Sequence, residues 1–302
     1  CIDSILHQTF VDFDLILVDD GSTDGSGDIC DVYTEKDARV RVLHQQNQGQ
    51  SAARNHGVAE AKTDLVCFID SDDLVNPTLL EQLVRAFEEN DVGAAASDRT
   101  CGTTPPDTFF LPIKAETELI EINETKLLEL LKANDTLYWS LFPCLIKKSI
   151  YQAYPLTPGR VMEDNAITPQ WLWAAKRIAV LRAPLYFYRN TPNSTMNAAL
   201  SENKLDFLWA LEQQLEFCKA NDFAALQNAV VKEYISSALY IANQFKIKNN
   251  DCHTAKRVIR KAVRLQKHYK NSISLTEAEK KRLFKAAHPF LHRVRKHFSI
   301  SQ

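Results

Sequence analysis

From Asp14 to Arg99, short apolar runs ending in polar loops alternate with amphipathic stretches of about a dozen residues, the pattern of repeated βαβ units around a mainly parallel sheet. The pattern predicts strands over residues 15–18, 40–44, 65–69 and 94–97. Helices are predicted over 25–36, 51–61 and 77–90, the last with Asn76 as its cap and Pro77 in its first turn. Residues 100–113 read as loop and strand, 124–134 as a helix, and 137–183 as short elements around a Trp-rich segment. From Asn197 onward glycine is absent and apolar residues recur at helical spacing, as in Leu205, Leu208, Trp209, Leu211, Leu215 and in Val230, Tyr234, Ile235, Leu239. That part is expected to be all-helical. The opening Cys1-Ile2-Asp3-Ser4-Ile5-Leu6 reads as the middle of an amphipathic helix with no initiating Met, so an N-terminally incomplete chain is expected. There is no internal repeat and no low-complexity tract.

The chain has 302 residues, 45% of them hydrophobic and 25% charged, which argues for a folded protein and against disorder or a fibre. Its seven cysteines form no C-x-x-C pair and are odd in number, so reduced thiols and a cytoplasmic location are expected. No run approaches the roughly 18 to 20 apolar residues of a membrane span, and any membrane contact is expected to be peripheral. Charge divides unevenly. Residues 1–245 hold 20 Lys and Arg against 35 Asp and Glu, whereas residues 246–302 hold 16 against 3. A basic terminal segment suits nucleic acid, anionic headgroups or a solvated helical face.

Four clusters carry candidate chemistry. Asp19-Asp20-Gly21-Ser22-Thr23-Asp24 follows an apolar strand; a carboxylate there can accept from a base N–H or ribose hydroxyls, or it can merely cap the next helix. Phe68-Ile69-Asp70-Ser71-Asp72-Asp73 also leaves a strand. Alternate carboxylates there can converge on Mg²⁺ or Mn²⁺, although acidic loops at strand ends are common. In Gly49-Gln50-Ser51-Ala52-Ala53-Arg54-Asn55, small residues open a helix and Arg54 offers a planar fork to phosphate or to a carboxylate. In Met162-Glu163-Asp164-Asn165 one carboxylate can serve as a general base, or both can simply favour a helix N-terminus.

Taken in order and spacing, these four clusters resemble the motifs of family 2 inverting glycosyltransferases with the GT-A fold, over about residues 1–197. Tyr186-Phe187-Tyr188-Arg189 and Ser194 resemble the segment that follows the family's catalytic helix. The resemblance implies a GT-A, Rossmann-like α/β domain: residues 1–113 as its nucleotide-sugar part without a first strand, and residues 114–197 as its acceptor side with the base. Residues 198–302 form the helical C-terminal region with its basic tail. It implies that Asp19 or Asp20 contacts the uracil and ribose of a UDP-sugar, that Asp72 binds a Mn²⁺ or Mg²⁺ diphosphate with Asp70 in support, and that Asp164 is the base. Arg54 and Glu163 are carried over as bracing or contact residues. The implied reaction is one in-line displacement onto a saccharide or lipid-linked acceptor, in surface polysaccharide assembly.

The family's first strand and its Pro-x-Tyr-Asn-like turn have no counterpart before Cys1, a loss that would leave neighbouring strands unpaired. Trp139-Ser140-Leu141-Phe142-Pro143-Cys144 stands where many relatives have an Asn-Lys-Leu-Tyr-like run. In the tail, Ala255, Val258, Ile259, Ala262, Leu265 and Tyr269 form one apolar stripe and Leu283, Ala287, Phe290, Leu291, Val294 and Phe298 a second, with Pro289 interrupting it. Cations cover the other faces. Peripheral association of residues 246–302 with an anionic cytoplasmic membrane is expected, with packed helices and a solvated basic face as the alternative, and no nucleic-acid partner. Two rivals differ in class. A phosphotransferase of the haloacid dehalogenase type would use Asp70 and Asp72, but Leu74 departs from its pattern. A noncatalytic nucleotide-sugar-binding or scaffold subunit would need no base.

Overall fold

The computed structural model describes residues 1–140, 142, 144–191, 203–248, 251–273 and 275–287. Ser194, Pro289 and the second stripe beyond Ala287 lie outside them. The described chain falls into two compact units, Cys1–Asn197 and Ala198–Gln302. In the first unit the elements are α1 (Ile2–Leu6), β1 (Leu15–Asp19), α2 (Ser26–Lys36), β2 (Val40–His44), α3 (Gln50–Glu60), β3 (Leu65–Cys67), β4 (Leu74–Val75), α4 (Leu79–Glu89) and β5 (Ala94–Gly102). After a short 3-10 turn follow β6 (Glu116–Glu121), α5 (Glu124–Ala133), α6 (Thr136–Trp139), β7 (Cys144–Lys147), α7 (Lys148–Ala153), α8 (Glu163–Ala175) and β8 (Arg177–Arg189). The second unit holds α9 (Asn203–Ala220), α10 (Ala224–Lys248), α11 (Cys252–His268) and α12 (Glu277–Ala287).

The strands form two sheets. β1 and β2 pair in parallel, Leu15 opposite Val40 through Asp19 opposite His44. The larger sheet runs β3-β7-β5-β8-β4, with β6 also on β8. It is mixed: β5 and β8 are parallel, whereas β3–β7, β5–β7, β4–β8 and β6–β8 are antiparallel. The α/β class with parallel strands and a helical C-terminal region is thus present, and the antiparallel strand β7 comes from the stretch with no clear period. Among the described residues β1 pairs only with β2 and β3 only with β7, so each keeps an open edge. β8 carries Pro184, which cannot donate to a ladder. The β5–β8 register shifts there, between Ser97, Asp98 and Arg99, so the missing donor falls at a bulge.

Apolar residues from α4 and the central strands make the core, with Leu79, Leu83, Ala95, Leu181 and Leu185 almost fully buried. Gly93 lies against the end of α8: a Cβ there would sit 2.5 Å from Ala175 Cα and 2.7 Å from its carbonyl oxygen, so backbone alone fits. α4 begins at Leu79, two residues later than its pattern predicts. Asn76 is fully buried; its Oδ1 accepts from Thr78 N and Oγ1, and its Nδ2 donates to the carbonyls of Phe109 and Leu111. One side chain therefore ties the start of α4 to the loop that follows β5.

Replacing Asn76 by Ala leaves buried carbonyls and an amide without partners. Urea denaturation is expected to show a loss of about 2–4 kcal/mol, above the cost of a typical single substitution.

Candidate active site

A cavity of about 2220 Å³ in the first unit runs along the length of β1 and β3, from Leu15 and Leu65 past the strands' C-terminal ends to the starts of α3 and α8. It is larger than the roughly 300–1,000 Å³ of ordinary small-molecule pockets. Asp20, Gln50, Arg54, Asp70, Asp72, Glu163 and Asp164 all line it. Residues more than a hundred positions apart are gathered here because β1 of the smaller sheet, β3 of the larger sheet and the first turn of α8 all border the same cavity. Asp19 is not among the described lining residues; it belongs to the turn beneath.

In that turn Asp19 Oδ1 accepts from Ser22 N at 3.0 Å and Oδ2 lies 3.0 Å from His44 Nδ1. The Ser22 hydrogen bonds, then His44, hold the Asp19 carboxyl at about 2. The other ring nitrogen of His44 meets Asp31 Oδ1 at 3.0 Å, so hydrogen bonds to two carboxylates raise its pKa. Asp20 faces the other way. Its Oδ1 accepts from Gln45 Nε2 at 2.6 Å and Gln48 N at 2.9 Å, and its Oδ2 from Gly49 N at 2.7 Å. Burial pushes Asp20 up, but the Gln48, Gln45 and Gly49 donors outweigh it and the group stays below its ordinary range. Gly21 permits the close approach: its φ is +73° and an added Cβ would lie 2.9 Å from Asn47 N.

Arg54, only 15% exposed, joins the remaining parts. Its Nη2 donates to Asp70 Oδ1 at 2.6 Å and its Nη1 to Glu163 Oε1 at 2.8 Å. Gln50, one turn earlier on α3, donates Nε2 to the same Glu163 oxygen at 2.7 Å. The guanidinium lies over the Phe142 ring, 5.0 Å from its centroid. Below, Phe68, Phe142, Tyr151 and Trp171 stack with centroids 5.0–6.0 Å apart, an apolar floor that keeps water from the fork. Asn55 holds α3 in place, accepting from Tyr151 OH at 2.8 Å and exchanging hydrogen bonds with the Leu156 backbone.

Glu163 and Asp164 occupy the first turn of α8, where the helix dipole favours anions. The preceding Met162 is left-handed, at φ 69°, which turns the chain sharply into the helix. Burial raises the Glu163 pKa and Asp164 adds repulsion, with Arg54 opposing both. Burial also raises Asp164, against hydrogen bonds from Asn165 N, at 2.8 Å, and Ser140. Asp73 is sequestered: its oxygens accept from Tyr186 OH at 2.6 Å and Arg189 N at 2.8 Å. Exposed Asp72 has no hydrogen-bond or ion-pair partner among the described residues.

Residues 1–154 match the sequence profile of "Glycosyl transferase family 2". The chain belongs to glycosyl transferase family 2. It is 33% identical over 218 residues to glycosyltransferase GlyG of Streptococcus pneumoniae serotype 4, covering 70% of each chain. It is 33% identical over 202 residues to the uncharacterized glycosyltransferase EpsJ of Bacillus subtilis, covering 64% of this chain and 57% of EpsJ. In fold it is similar to S. aureus TarS 1–349 in complex with UDP-GlcNAc, at a TM-score of 0.67 and 17% identity over 98% of this chain and 87% of that one. A second structural neighbour is the mannosyltransferase PcManGT of Pyrobaculum calidifontis in complex with GDP-Man and Mn²⁺, at a TM-score of 0.53 and 12% identity over 95% and 80% of the two chains. The enzyme is therefore a glycosyltransferase with a GT-A-like domain.

Gln50, Asp73 and Tyr186 stand inside motifs quoted from the sequence but were given no role of their own, and His44 was not singled out. Gln50 could have been given one, since it lies four residues before Arg54 on the same helix face. The others depend on partners distant in sequence.

Replacing Arg54 by Met strands Glu163, whose side chain is 3% exposed. The expected cost is about 3–5 kcal/mol at neutral pH, shrinking on acidification as Glu163 takes up a proton, and largely absent when Glu163→Gln is added; urea titrations of the four proteins check this. His44 gives the opposite pH sense. Its raised pKa means that its stabilisation is complete below the unfolded value of about 6.5 and is lost as pH rises through the higher folded value. The melting temperature of His44→Asn should fall furthest below that of the unmodified chain at about pH 5 and converge with it by about pH 8.

Proposed function

We propose that the enzyme transfers a sugar from a nucleotide-sugar donor, a UDP-sugar foremost, to a hydroxyl of a saccharide or lipid-linked saccharide acceptor, inverting the anomeric carbon. The observation that carries this reading is the meeting of Asp164, Arg54, Asp70 and Asp72 at one cavity. Residues 1–113 hold the donor, and residues 114–197 supply the acceptor side and the base.

In this reading Asp20 contacts the nucleoside. It lines the cavity and its Oδ2 accepts only the Gly49 N–H, so a lone pair is available for a base N–H or ribose hydroxyl. Asp19 positions the turn. The residues present fit a divalent cation held jointly with substrate. Asp72 is exposed and unpaired among the described residues, and the Asp70 side chain is 43% exposed. Among the described residues no three His, Cys, Asp or Glu side chains converge as a metal cage. At most two protein carboxylates, completed by diphosphate oxygens and water, is ligation that Mg²⁺ and Mn²⁺ accept. The cation, when bound, neutralises charge on the departing nucleoside diphosphate.

Asp164 takes the proton from the acceptor hydroxyl. The oxygen then bonds to the anomeric carbon from the face opposite the diphosphate, and the carbon–oxygen bond to the diphosphate breaks with its electron pair leaving on the nucleotide. Burial serves this step, because a raised pKa makes the Asp164 carboxylate a stronger base. Arg54 and Glu163 do not touch the reacting atoms in this scheme: they orient Asp70 and the start of α8. The setting proposed is surface polysaccharide assembly in the cytoplasm, at the inner face of the membrane. Among the described residues no helix is long and apolar enough to cross a membrane, and the net positive charge of residues 246–302 provides attraction to an anionic surface.

Asp164→Asn should lower nucleoside diphosphate release by about 10²–10⁴-fold while donor binding, followed by calorimetry, stays unchanged. Retained turnover would remove Asp164 from the role of base. The acid limb of kcat/KM for the unmodified enzyme should lie above the ordinary Asp value of about 3.9, since the base must be ionised and its pKa is raised; a limb at or below that value contradicts the assignment.

A further inference from the structure

We propose that the helical unit carries a groove for the phosphate groups of anionic phospholipids, built from Arg257, Arg260 and Arg264 of α11. These residues and Lys261 recur at helical spacing and form one exposed stripe. The opposite stripe, Ala255, Val258, Ile259 and Ala262, is buried within the unit. The amphipathic helix therefore does not offer its apolar face to a bilayer, and the contact available is electrostatic.

The basic stripe borders a cavity of about 650 Å³ whose other walls include Glu212 of α9 and Tyr234 of α10. Glu212 is the acid in that lining, and its Oε1 is already paired. Lys261 Nζ lies 2.6 Å from Glu212 Oε1, and Tyr234 OH donates to the same oxygen at 3.1 Å. Arg257, Arg260 and Arg264 have no hydrogen bond or ion pair among the described residues. Over the seven steps from Arg257 to Arg264 the helix rises about 10 Å, so three exposed arginines border one cavity. Each fork matches two oxygens of a phosphate. A headgroup layer, which presents many phosphates in a plane, suits an exposed row of forks better than a single small anion does. Lys256 and Lys267 extend the same sign around the helix, and Lys270 follows its end. The groove gives the peripheral-membrane reading a specific site, and it does not depend on the transfer chemistry.

The test uses the full chain and cosedimentation at low salt with vesicles of phosphatidylglycerol in phosphatidylcholine, against phosphatidylcholine alone. R257Q/R260Q/R264Q should bind the anionic vesicles about 100-fold more weakly, the loss of three cations at the surface. K281Q/R282Q/K285Q removes the same charge from exposed positions of α12 and should bind nearly as the unmodified chain does. Far-ultraviolet circular dichroism confirms that both variants fold. Equal loss in the two variants would overturn the groove and leave attraction by diffuse charge. Saturable binding of inorganic pyrophosphate that displaces the chain from vesicles would overturn the headgroup assignment in favour of a soluble diphosphate. Failure of the unmodified chain to bind anionic vesicles would overturn the groove and the peripheral reading together. Donor turnover, measured without vesicles, is unaffected by any of these results.

Discussion

The arrangement of the catalytic unit depends on one cation between two carboxylates. Arg54 reaches from α3 to Asp70, after β3, and to Glu163, at the head of α8. Three segments that are far apart in sequence are thereby fixed at the lip of one cavity. Burying a charge is costly unless it is paired and hydrogen-bonded, and here both ends are: Gln50 adds a second donor to Glu163, and Phe142 covers the guanidinium face. Because the fork is planar, it fixes direction as well as distance. Asp164 follows Glu163 in the chain and so inherits its placement.

A second consequence concerns charge. The cavity gathers Asp20, Asp70, Asp72, Glu163 and Asp164 around Arg54, an excess of negative charge at a site read as binding a nucleoside diphosphate. The structure divides these acids by environment. Asp20 is held ionised by backbone and amide donors, whereas burial raises the pKa of Glu163 and Asp164. Asp72 remains exposed and free among the described residues. Groups of one chemical type thus acquire separate environments: Asp20 anchors the 45–49 loop, Glu163 braces α8, Asp164 is buried beside it, and Asp72 stays exposed.

The strands and helices from Leu15 to Glu89, apart from the two-residue β4, were legible because each carries its own period and ends at its own polar turn. β7 was not, since four residues carry no period, and it adds two of the antiparallel pairings of the mixed sheet. Asn76, which reads as a cap, does accept from Thr78 N, but its amide also donates to carbonyls more than thirty residues away, which no local pattern shows. The same distinction applies to the site. That Asp20, Arg54, Asp70, Asp72, Glu163 and Asp164 belong together was readable from the order of their motifs. The contrast between Asp19 and Asp20 was not, because it is set by His44 on the neighbouring strand and by the backbone of the loop after it. Adjacent residues of one type look alike in sequence and are told apart only by what faces them.

Nucleoside diphosphate release from a panel of UDP-, GDP- and dTDP-sugars, with and without Mn²⁺ and with a saccharide acceptor present, tests the central claim most directly. Metal-dependent turnover of one donor, with inverted configuration in the product, is the expected result. Absence of binding to every donor, in the presence of metal, would contradict it.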